Sequence, residues 1–131
     1  MTRRRLPLLI AVTALVGCNG GTVDRHALTN DASTLDSIAC EGALLAHQAA
    51  KGASTVYFTR EQAEELGIQA SNFQDALSKR PTGAGLEQKV RAKAGDAGKL
   101  AALFRRLHDA PGDRAVAASV ELSLKRQGKC A

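Results

Sequence analysis

The chain has 131 residues, with 18 Lys and Arg against 13 Asp and Glu. Three of those cations, Arg3, Arg4 and Arg5, stand in the first five residues, and the other 15 nearly balance the acids, so the pI near 9.5 gives no ground for a nucleic-acid partner. The aromatics are only Tyr57, Phe58, Phe73 and Phe104, too few for a base-stacking platform, and the length supports one domain with a modest core.

The first element is a leader. Met-Thr-Arg-Arg-Arg precedes an apolar run from Leu6 to Val16, the plan of a secretory signal. A membrane span needs about 20 apolar residues. This run is shorter, and Asn19-Gly20-Gly21 follows it, so it does not read as a transmembrane helix. Thr2-Arg3-Arg4 loosely matches a twin-arginine signal, but three arginines are common in such leaders and the general secretory route is favoured.

Leu15-Val16-Gly17-Cys18 resembles the lipobox of bacterial lipoproteins: an aliphatic residue, a small or β-branched one, Gly or Ala, then Cys. The resemblance covers only the leader. It implies that residues 1–17 are removed as a lipoprotein signal peptide and that Cys18 carries a diacylglyceryl thioether. Two acyl chains give stable anchoring where one is marginal. The expected partner is therefore a membrane, reached through the lipid and without spanning. Asn19, not Asp, follows Cys18, so the common inner-membrane retention signal is missing. Residues 18–29 read as the lipidated Cys and a short tether, and residues 30–131 as a helical domain.

The Ala-rich remainder favours helix. Leu35, Ile38, Ala39, Gly42, Leu45, Ala46 and Ala49 follow one helical face over about Asp31 to Ala50, with Leu28 a possible extension and Lys51-Gly52 a stop. Ser54 to Phe58 reads as an extended connector. Thr59-Arg60-Glu61-Gln62 then reads as a capping box opening a helix with Ala63, Leu66, Ala70, Phe73 and Leu77 on its face. Pro81 ends that helix near Lys79. A third pattern runs through Leu86, Val90, Ala94, Ala97, Leu100, Phe104 and Leu107, with a break expected near Gly95 because interior Gly costs about 1 kcal/mol against Ala. Asp113 is a candidate N-cap for a last helix on Val116, Val120 and Leu124, ending at Gly128. The expected fold is all-α: a small antiparallel bundle of about four helices. It loosely resembles small Ala-rich helical lipoproteins, a likeness that carries over no functional residue.

With Cys18 assigned to lipid, Cys40 and Cys130 form an even pair outside the cytoplasm, and one disulfide is the natural reading. The alternatives are two separate thiols or a metal site, and the latter falls short of four ligands. No metal, cofactor or catalytic residue is expected. His26, His47 and His108 have no partner at ligand spacing, and Glu61, Glu64 and Glu65 suit the first turns of a helix, whose N-terminal end favours acids.

The charge is polarised along the chain. Residues 18–76 hold three basic and eight acidic residues, and residues 77–131 hold twelve and five. Lys89, Lys93, Arg105 and Arg106 are expected to form an outward basic surface for an anionic lipid or acidic partner, unless Glu61, Glu64 and Glu65 neutralise them within the bundle. Tyr57 and Phe58 are expected in a partner-binding loop. The expected function is a non-enzymatic envelope interaction module; the alternatives are a carrier of a lipid or small apolar ligand between helices and an inhibitor of an envelope enzyme.

Overall fold

The computed structural model describes residues 21–130. The leader, the lipobox and Cys18 lie outside them. Four helices account for 88 of the 110 described residues: α1 Arg25–Ala50, α2 Val56–Lys79, α3 Glu87–Asp109 and α4 Arg114–Gly128. Each runs antiparallel to the one before it, and short turns join them, as the spacing of apolar residues predicts.

The helix ends follow local chemistry. Asp24 caps α1, its Oδ1 accepting from the Ala27 N–H at 2.7 Å. At the other end Gly52 takes φ +70°, its N–H donates to the Ala49 carbonyl, and the Ala53 N–H donates to the Gln48 carbonyl at 2.8 Å. Those two bonds satisfy carbonyls that the helix leaves free, and Gly takes the left-handed conformation without a side-chain clash. Arg80 is extended before Pro81, which stops α2. Asp113 caps α4 through bonds from the Ala115 and Val116 N–H groups.

Three boundaries differ from the sequence reading. α1 starts at Arg25, not near Asp31, and Val23 is fully buried, so residues 23–29 belong to the bundle and not to a tether. The cause is Asp24, which caps a first turn whose Leu28 is buried. α2 starts at Val56: Thr55, not Thr59, is its N-cap, accepting from the Phe58 N–H at 3.1 Å. Thr59 is fully buried and its hydroxyl bonds the Ser54 hydroxyl, so the capping box does not form. α3 runs unbroken through Gly95 and Gly98. Burial of Ala94, Ala97 and Leu100 on either side outweighs the glycine cost, and the α2 side chain Gln74 lies close over Gly98: a Cβ there would stand 2.7 Å from Gln74 Nε2.

The core has two parts. The larger gathers residues of all four helices around Phe104, Leu107, Val120 and Leu124, all fully buried. Gly42 lets the Phe104 ring approach α1, since a Cβ there would sit 2.6 Å from the ring's Cζ. The smaller comprises Val23, Leu28, Leu77, Leu86, Val90 and Ala94. It fills the lower end of the bundle, which α4, with 15 residues against 26 in α1, does not reach. There the N-terminal segment closes the core in place of a fourth helix.

Cys40 and Cys130 form the disulfide, with Cα atoms 5.5 Å apart, stapling the middle of α1 to the end of α4. Gly128 makes the approach feasible: a Cβ there would meet Ala39 Cβ at 2.8 Å and Cys40 Sγ at 2.9 Å. Because Gly128 is spent on packing, Lys129 takes the left-handed turn instead, at φ 51°.

Candidate functional site

Three surfaces carry the residues the sequence singles out. The lower end is built from the N-terminal segment and the α2–α3 turn. The Val23 N–H donates to the Pro81 carbonyl at 2.7 Å, and the Gly83 N–H donates to the Val23 carbonyl at 3.0 Å. Arg80 reinforces this clip: its Nε donates to the Gly21 carbonyl at 3.0 Å, and its guanidinium lies 3.9 Å from Asp31. Sequence periodicity could not find the clip, because Val23 lies outside any helix and its partners are more than fifty residues away.

The upper end carries Val56, Tyr57 and Phe58. They stand in the first turn of α2, not in a loop, because Thr55 starts the helix ahead of them. All three face solvent, Tyr57 at 72% exposure. Phe104, by contrast, is fully buried. The exposed cations Lys51, Arg60 and Arg114 lie at the same end, and none forms an ion pair among the described residues.

The third surface is a groove between α2 and α3, of about 920 Å³. Gly67, Gly98 and Phe104 line it, together with Glu64, Ile68 and Arg105. The groove opens outward, and its lining mixes charged and apolar groups.

The structure does not bring Lys89, Lys93, Arg105 and Arg106 together. At 3.6 residues per turn and 1.5 Å per residue, Arg105 lies about 24 Å along α3 from Lys89 and about 160° around it. Lys93 pairs with Asp96 at 3.4 Å, Arg106 reaches the Ser119 hydroxyl at 3.5 Å, and Arg105 faces the groove. A single basic face built on these four is thus corrected to separate positions at the two ends of α3. Neutralisation by direct pairing is not seen either: Glu61, Glu64 and Glu65 make no ion pair with Lys or Arg among the described residues.

The histidines are surface groups, two with partners nearby in sequence and His47 with a partner on another helix. His47 Nδ1 lies 2.7 Å from Glu121, tying α1 to α4; His108 sits 3.1 Å from Asp109; His26 lies 3.3 Å from Asn30. Among the described residues no three His, Cys, Asp or Glu side chains are grouped to hold a metal ion, and no helix is long and apolar enough to cross a membrane. No protein-family model matches the chain, and neither a curated protein nor a solved structure matches it significantly.

Proposed function

We propose that the protein is an envelope lipoprotein, anchored through diacylated Cys18, whose bundle acts as a non-enzymatic interaction module. The observation that carries the interaction role is the upper end. Val56, Tyr57 and Phe58 are exposed side by side in a chain with few aromatics, flanked by the exposed cations Lys51, Arg60 and Arg114, which form no ion pair among the described residues. Tyr supplies a large, stiff contact area with a polar tip, and such residues dominate binding energy where they occur at interfaces. The surrounding positive charge suits an acidic envelope component. The anchor rests on the likeness of Leu15-Val16-Gly17-Cys18 to a lipobox.

A photoreactive amino acid at Tyr57, in cells expressing the full chain, tests the contact. Cross-links at position 57 that vanish when Phe58→Ser and Arg114→Gln are added, with melting temperature unchanged, support it. Absence of any cross-link at 57 counts against it. The α2–α3 groove favours a second reading, in which it holds an apolar ligand. Native mass spectrometry of the protein purified from membranes distinguishes the two: a bound lipid lost on Gly98→Leu substitution supports the carrier.

A further inference from the structure

We propose that the lower end of the bundle, formed by the start of α1 and the α2–α3 turn, is seated on the headgroup surface of an anionic bilayer, with the Tyr57 end directed away from it. This rests on the reading of Cys18 as the lipid anchor. The argument is one of chain length. Three residue steps separate Cys18 from Gly21. Fully extended, they span about 10 Å at most. Gly21 is already held by Arg80, and Val23 is fully buried with both backbone groups bonded across the α2–α3 turn. The clip leaves no further slack, so the anchored lipid pulls the end of the bundle that contains Pro81, Ala84 and Gly85 to the membrane. α1 has 26 residues and rises about 39 Å at 1.5 Å per residue, which places the start of α2 far from that end.

The charges at this end fit the same surface. Arg25, Lys79 and Lys89 are exposed there and none forms an ion pair among the described residues. The acids near them are Asp24, whose carboxylate caps α1, Glu87 in the first turn of α3, Asp31, which faces Arg80, and Asp75, one turn before Lys79 on α2 and not in an ion pair with it. Basic groups within a Debye length of an anionic leaflet are attracted to it. Arg105 and Arg106, at the other end of α3, lie beyond that range.

The chain has no tryptophan, so one introduced indole reports alone. Ala84→Trp and Tyr57→Trp variants of the full chain are expressed, recovered from bacterial membranes and weighed by mass spectrometry, which reads the state of Cys18 first. The lipidated proteins are reconstituted in phosphatidylcholine–phosphatidylglycerol vesicles carrying a dansyl headgroup that accepts energy from indole. If Cys18 is found unmodified, its thiol, which lies outside the disulfide, is coupled to a maleimide lipid and the same measurement is made. The Trp at position 84 is expected to lose most of its emission and the Trp at position 57 to keep most of it. Equal transfer from both positions, or stronger transfer from position 57, would overturn the proposed seating whatever the state of Cys18.

Discussion

Gly128 packs against Cys40 so closely that any side chain at position 128 would strike the sulfur, at 2.9 Å, and the Ala39 methyl, at 2.8 Å. The disulfide and the missing side chain are one arrangement: the first closes α4 on α1, the second makes room for it. Gly128→Ala is therefore expected to destabilise the fold, although Ala is the better helix former. Overpacking of this kind costs about 1–3 kcal/mol. Thermal unfolding checks it, and a melting temperature equal to or above that of the parent contradicts the packing described.

Replacing Cys40 and Cys130 together by Ser removes a crosslink spanning 90 residues. The chain-entropy model values such a loop at about 4–5 kcal/mol, an upper figure when native geometry or residual structure intervenes. The variant should show a lower urea midpoint with helical circular dichroism retained at zero denaturant. An unchanged midpoint contradicts the bond.

Thr55→Ala should cost about 1 kcal/mol, the usual worth of an N-cap hydroxyl. Gln62→Ala should cost almost nothing, because no capping box closes around it. A larger loss for Gln62 than for Thr55 would restore the helix start at Thr59 that the sequence suggests. That comparison also shows where the sequence is legible. The Thr-x-x-Gln spacing is a real signal, but Thr55 offers the same hydroxyl four residues earlier, and burial of Thr59 against Ser54 decides between them. Such burial is a tertiary fact that local pattern does not carry.

Lys129→Gly should stabilise the protein by up to about 1 kcal/mol. A non-glycine residue in the left-handed region carries a steric cost of that order. Lys129 sits there at φ 51°, and its side chain is exposed. Denaturant unfolding that shows a loss instead would mean that the lysine makes a contact at the chain end that outweighs the strain.

Most of the helices could be read from the sequence because each buries one stripe at 3.6-residue spacing: Leu35, Ile38 and Ala46 on α1, Val90, Ala97 and Phe104 on α3. Lys51-Gly52, Pro81 and Asp113 marked ends correctly because each acts within a few residues of itself, the first two through backbone geometry and Asp113 through its carboxylate. What could not be read is whatever depends on distant partners. The Val23 clip joins residues far apart in sequence. The continuity of α3 rests on burial of Ala94, Ala97 and Leu100 against the other helices. The dispersal of Lys89, Lys93, Arg105 and Arg106 and the i,i+3 pairing of Lys93 with Asp96 were open to helical arithmetic, but the reach of Arg106 to Ser119 on α4 was not.

The account turns on Cys18. Metabolic labelling of cells expressing the full chain with a palmitate analogue, followed by intact-mass measurement of the purified product, tests it most directly. The expected result is an acylated protein whose N-terminal residue is Cys18, in the membrane fraction, and loss of both label and cleavage on Cys18→Ser. A product without label that begins elsewhere, or a Cys18→Ser variant processed and retained like the parent, would contradict it.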